Sequence, residues 1–220
     1  PTFSSKNTGY NVTQYYGGDL HPTSTNYFLA GAQDNGTQQF TNPGINATVT
    51  ASGNDGMFCH IDQTNGNLQI TSYQFNNYYR SLNGGSTTPF TYLSSISNDR
   101  GQFTNPTDLD DNSKILYCGD DPGKYYCVTN LNGTPSSLSV NAVAMGNMEL
   151  TAVKVDPFSP NTIWVGASFG TPGLVPKVIK FSNANTASPT ALTIATLGPI
   201  TNAAVSSIDV DPVNANHIIV

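Results

Sequence analysis

An all-β fold is what this sequence predicts, and three observations predict it. No window of 11 or more residues keeps an i, i+3, i+4, i+7 apolar pattern free of Gly, Pro, Asn or Thr, and Glu149 is the single glutamate, so helix formers are scarce. Short apolar or alternating runs recur instead, each bounded by Asn, Gly, Asp or Pro, which is how strands and turns are written. The turn segments also repeat along the chain.

In chain order, Asp19-Leu20-His21-Pro22 closes a first strand, and Tyr27-Phe28-Leu29-Ala30 supplies the second. His60-Ile61-Asp62-Gln63 opens the next unit. Asp108-Leu109-Asp110-Asp111 precedes the strand Ile115-Leu116-Tyr117-Cys118. Lys154-Val155-Asp156-Pro157 precedes Ile163-Trp164-Val165 and then Lys177-Val178-Ile179-Lys180-Phe181. Asp209-Val210-Asp211-Pro212 begins a last unit, and the chain stops inside a strand-like run at Asn216 to Val220. Anchors at His21, Asp62, Asp110, Asp156 and Asp211 are separated by 41, 48, 46 and 55 residues. From anchor to the small residue that closes the following strand is ten residues for Gly31, Ser72 and Gly166 and nine for Gly119. That offset fixes a hairpin geometry.

A period of about 40 to 50 residues holding about four short strands describes the blades of a β-propeller, which stack because one sheet cannot bury both its faces alone. Residues 1–220 therefore read as one partial propeller domain of four-stranded antiparallel blades, about four and a half of them. A β-sandwich has similar turn spacing but does not account for the anchor offsets. With Pro1 in place of an initiator Met and a strand at the other end, the chain is expected to belong to a longer protein with further blades or domains.

Composition narrows the function. Charged residues make up 10% of the chain, against roughly 25% in ordinary soluble proteins, and Asn, Thr, Ser and Gln carry the polarity, as suits an exported protein. A net charge of −6 with scattered basic residues disfavours nucleic acid as a partner. No run approaches the roughly 18 to 20 apolar residues of a membrane span, so membrane insertion is not expected.

Arg80-Ser81-Leu82-Asn83-Gly84-Gly85-Ser86-Thr87 resembles a degenerate BNR repeat or Asp-box turn, with Asn83 in place of the usual Asp and no Trp following. Gly31-Ala32-Gln33-Asp34-Asn35-Gly36-Thr37 and Gly53 to Asp62 are similar to stretches of large exported propeller proteins of Bacteroidetes, relatives of the BNR and sortilin-type propellers. The resemblance is strongest over residues 9 to 90. It implies a secreted or cell-surface protein exported by type IX secretion. The Asp box is a folding element found beneath many activities and does not by itself imply catalysis.

Asp34 also lies in a turn that resembles the one holding a catalytic Asp in xyloglucan-cleaving propeller hydrolases. Glycoside hydrolysis needs two carboxyl groups flanking the scissile bond. With one Glu in the chain the pair would be two Asp, and Asp55 is the other in a Gly-flanked turn. Asp-Asn-Gly is equally a turn sequence in its own right, and that reading is preferred. The function expected is thus a binding, structural or assembly module for protein or glycan. A glycoside hydrolase using Asp34 and a second Asp is the alternative.

Adjacent tyrosines, Tyr15-Tyr16 and Tyr78-Tyr79, point to opposite faces of a strand, so one of each pair can pack between blades while the other offers a binding ring. Asp108, Asp110 and Asn112 are weak candidates for Ca²⁺, since the segment lacks the Gly and terminal acid of a calcium loop, and no other cofactor is expected. Cys118 and Cys127 flank a turn-rich tip. With a constant index sum of 245 they would face each other across a hairpin, within reach of a disulfide. Two reduced cysteines packing as small hydrophobes is the competing reading.

Overall fold

The computed structural model describes residues 4, 12–42, 44, 46–93, 96, 99–169, 173–198 and 203–220. Four four-stranded antiparallel meanders follow one another along the chain. The first blade holds β1 (Tyr15–Leu20), β2 (Phe28–Ala32), β3 (Gly36–Phe40) and β4 (Val49–Ser52). The second holds β5 (Cys59–Ile61), β6 (Gln69–Tyr73), β7 (Asn77–Ser81) and β8 (Thr91–Tyr92). The third is β9 (Thr107–Asp110), β10 (Ile115–Gly119), β11 (Lys124–Thr129) and β12 (Ser136–Asn141). The fourth is β13 (Glu149–Val155), β14 (Ile163–Ser168), β15 (Lys177–Ser182) and β16 (Thr190–Thr196). A two-stranded sheet, β17 (Asp209–Val210) with β18 (Ile218–Ile219), begins a fifth. One turn of 3-10 helix, Val143–Met145, is the helical element among the described residues.

Within each sheet every strand pairs with its neighbour in sequence, as the repeat requires and the Greek-key connections of a sandwich would not give. The first strands converge, β1 lying against β5 and β9 against β13. Each anchor sits where the first strand turns into the second. Glycine closes several second strands because the chain comes close there. A Cβ on Gly31 would fall 1.9 Å from the Met57 carbonyl oxygen, and one on Gly166 would fall 2.4 Å from Val205.

Alternation divides each sheet between two interfaces. Leu29 and Ala51 of the first blade pack on Cys59 and Ile61 of the second. Ile70 and Tyr78 of the second pack on Leu109, Leu116, Cys118, Tyr126 and Val128 of the third. Tyr117, Tyr125 and Cys127 of the third pack on Val153, Ile163, Val165, Ile179 and Phe181 of the fourth. Trp164 and Val178 of the fourth carry the fifth sheet through Ile208 and Val210.

This alternation corrects the disulfide expected between Cys118 and Cys127. In the β10–β11 hairpin Tyr117 pairs with Cys127 and Cys118 with Tyr126, an index sum of 244. A shift of one residue moves a side chain to the other face. Cys118 therefore enters the core before the third blade and Cys127 the core after it. Both thiols, with Cys59, are free and buried.

Candidate functional site

At the turn after each first strand, a side chain takes the backbone N–H groups of the residues beyond it. Asp110 Oδ1 accepts from Asn112 at 3.0 Å and Ser113 at 2.9 Å. Asp156 Oδ1 accepts from Phe158 at 2.8 Å and Ser159 at 3.1 Å. Asp62 Oδ1 accepts from Thr64 and Asp211 Oδ1 from Val213. In the first blade His21 takes the same place, Nδ1 accepting from Thr23 at 3.3 Å and Ser24 at 3.2 Å. The anchors are thus Asx-type turn clamps, with imidazole substituting once.

Lysines hold the second oxygen of two of these clamps. Lys114 Nζ lies 2.5 Å from Asp62, and Lys180 Nζ lies 2.6 Å from Asp156, which also accepts from the Trp164 indole at 3.1 Å. Burial alone would push both carboxyls up. The hydrogen bonds from lysine and the turn outweigh it and hold both below the usual range.

Two residues before each anchor, on the converging first strands, stands a second row: Asp19, His60, Asp108, Lys154 and Asp209. The first four each reach the next blade. Asp19 Oδ2 accepts the Ile61 N–H at 2.6 Å, and Asp108 Oδ2 accepts the equivalent Val155 N–H at 2.7 Å. His60 Nε2 meets Thr107 Oγ1 at 2.7 Å, and Lys154 Nζ lies 3.5 Å from Asp209. The residues themselves gave the signal, since all five aligned turn segments begin with a titratable side chain.

The row borders a cavity of about 350 Å³ lined by Asp19, His60, Gln63, Asp108, Asp111 and Lys154 among others. Burial pushes Asp19 and Asp108 up and His60 down. Asp111 is raised to about 6, first by burial and then by repulsion from Asp62, Asp19 and Asp108, although it accepts the Gln63 N–H at 3.1 Å. The hub is therefore acidic and strongly hydrogen-bonded.

The remaining candidates separate. Asp34 and Asp55 do come together, but through the main chain. Asp55 Oδ1 accepts the Asp34 N–H at 2.6 Å, and Oδ2 accepts from the Gln74 side-chain amide. Asp34 itself sits at φ +61°, a left-handed turn position with its side chain exposed. Asp108, Asp110 and Asn112 line one cavity of about 450 Å³, in which Asp108 Oδ2 accepts the Val155 N–H and Asp110 Oδ1 that of Asn112. Among the described residues no group of three or more His, Cys, Asp or Glu is placed to hold a metal ion.

Tyr78 is fully buried and its hydroxyl donates to Asn76 Oδ1 at 3.0 Å, which removes it as a binding ring. Tyr79 is half-buried against Tyr73 and Tyr92. Tyr16 is half-buried and donates to Gln33 at 3.2 Å, while Tyr15 is exposed beside Phe40.

No protein-family model and no curated protein matches the chain. Solved structures do. An ancestral GH74 enzyme superposes with a TM-score of 0.66 at 16% identity, covering 90% of this chain and 28% of that one. The GH74 xyloglucanase from Xanthomonas campestris superposes with a TM-score of 0.67 at 11% identity, covering 90% of this chain and 34% of its own. The chain thus spans about a third or less of the length of these proteins. At such identities the likeness concerns the fold, and with the sequential four-stranded sheets it makes this chain a run of β-propeller blades.

Proposed function

We propose that this chain is part of a secreted or cell-surface β-propeller of the BNR type, related to the exported propellers of Bacteroidetes, and that it binds or assembles protein or glycan without catalysis of its own. The observation that carries this is the state of Asp55. Both its oxygens are engaged, one by the Asp34 N–H and one by Gln74, so it serves the turn rather than standing free as nucleophile or general base. The Asp-box-like turn is likewise held by its own residues, Ser81 Oγ accepting from Asn83 and Gly85 and Asn83 Nδ2 donating to Thr87. No helix among the described residues is long and apolar enough to cross a membrane.

Two observations favour the alternative, a glycoside hydrolase using Asp34 and a second Asp, here Asp55: the fold brings the two residues side by side, and the structural neighbours are GH74 enzymes. Incubation of the purified chain with xyloglucan and with β-glucans, followed by assay of reducing ends, separates the readings. The binding role is expected to give no release. Release that disappears in Asp34→Ala, with an unchanged melting temperature, would establish the hydrolase instead.

A further inference from the structure

We propose that the cavity between the third and fourth blades binds a primary ammonium group, from a free amine or a partner's lysine side chain, on the second oxygen of Asp110. The repeat supplies the comparison. The other three Asp clamps each have a basic side chain at that oxygen: Lys114 lies 2.5 Å from Asp62, Lys180 2.6 Å from Asp156 and His217 3.1 Å from Asp211. Asp110 is only 4% exposed, yet among the described residues it forms no ion pair. Register shows why. Lys114 stands at φ +55° in the turn before the second strand, its carbonyl accepting the Leu131 N–H, and reaches back to the clamp of the blade before. In the fourth blade Asn161 holds that position, at φ +50° with its carbonyl accepting the Ala184 N–H, and it is neutral and shorter. Lys180 reaches Asp156 from the third strand of its own blade, where it pairs with Trp164. The corresponding pair in the third blade is Cys127 with Tyr117. Both routes by which a lysine reaches a clamp are therefore closed at Asp110.

Tyr117 is an independent sign of a ligand. Its counterpart Trp164 donates the indole N–H to Asp156 at 3.1 Å. The Tyr117 hydroxyl is fully buried without a hydrogen-bond partner, and burial, then Cys127, then Asp110 push its pKa up. A buried hydroxyl left in that state is costly. An ammonium on Asp110 has three N–H donors, enough to serve the carboxylate and the phenol oxygen together. Charge selects the same ligand. Asp108, Asp110, Asp111 and Asp156 border the cavity of about 450 Å³, and its one lysine, Lys154, is drawn to Asp209 at 3.5 Å. Phe158 on its wall suits the alkyl stem of an amine. A calcium ion would need about six to eight oxygen ligands, and the carboxylates here are not grouped to hold a metal. The cavity shares no residue with the Asp34 and Asp55 turns, so either outcome there leaves it standing.

Thermal melting of the protein in methylammonium chloride, against equimolar tetramethylammonium chloride, tests this, because the second cation carries the charge without N–H donors. At about 100 mM, methylammonium is expected to raise the melting temperature by about 2 °C or more relative to tetramethylammonium. N-acetyl-lysine amide forms a second arm. A rise with both amines admits a partner's lysine, and a rise with methylammonium alone assigns the site to a small free amine. The rise should vanish in Asp110→Asn, which keeps an oxygen for the turn N–H groups. It should vanish equally in Asn161→Lys, which tethers an ammonium at the position Lys114 holds one blade earlier and decides the matter if Asp110→Asn fails to fold. No rise with either amine, a rise that persists in a folded variant, or an Asp110-dependent rise with calcium chloride in place of amine overturns the proposal.

Discussion

Lys114 lies 2.5 Å from the buried Asp62 carboxylate and donates to Thr64 at 2.7 Å, tying the third blade to the clamp of the second. Lys114→Ala removes the cation and leaves the charge buried, which is expected to cost about 3 kcal/mol in urea unfolding at pH 7. Asp62 is held below its ordinary range, so this pairing contributes above the unfolded carboxyl pKa and is lost as pH falls below about 4. Asp111 has the opposite sign. Raised to about 6, it binds its proton more tightly folded than unfolded, so its charge destabilises the fold as pH rises between about 4 and 6. Asp111→Asn should therefore raise the melting temperature at pH 7.5, and the gain should vanish near pH 4. The clamps were legible at this scale because an Asp recurring where a strand ends, as Asp62, Asp110, Asp156 and Asp211 do, has one chief use, to hold the turn that follows. The hub row was legible only as a titratable residue at one aligned position; its reach to the next blade comes from the fold.

Within single elements, the anchor offsets came directly from the sequence because a clamp, a short turn and a close approach at Gly31 or Gly166 each demand a residue type. Asp110→Ala deletes both N–H bonds of the β9–β10 turn and is expected to cost about 1–2 kcal/mol, measured by denaturant midpoint with the slope unchanged. Cysteine register was not legible. The tip between Gly119 and Lys124 sets the index sum at 244, and no residue type in it distinguishes 244 from 245. With the thiols on opposite faces, thiol counting in denaturant should find three free cysteines, and a reducing agent should leave the melting temperature unchanged. Tyr78 and Tyr79 illustrate the same limit: alternation requires the pair to split, but only packing against the third blade decides that Tyr78 goes inside.

Across the whole molecule, half of the charges that a low-charge chain does carry, 11 of 22, stand at the hub and its turns, where some join one blade to the next and others hold the turns. Asp19, Asp108 and Lys154 reach across blades, and Asp62, Asp110, Asp156 and Asp211 clamp turns. The propeller was readable because repetition magnifies weak local signals, four sheets written in one pattern. Ligand identity was not, since binding surfaces need not repeat. The central claim, that carboxylates here hold structure rather than perform chemistry, is tested most directly at Asp55, by urea unfolding of Asp55→Ala alongside assay of reducing ends from xyloglucan. Loss of about 1–3 kcal/mol, with no release by either protein, is the expected result. Unchanged stability together with release seen in the parent and lost in the variant would contradict it.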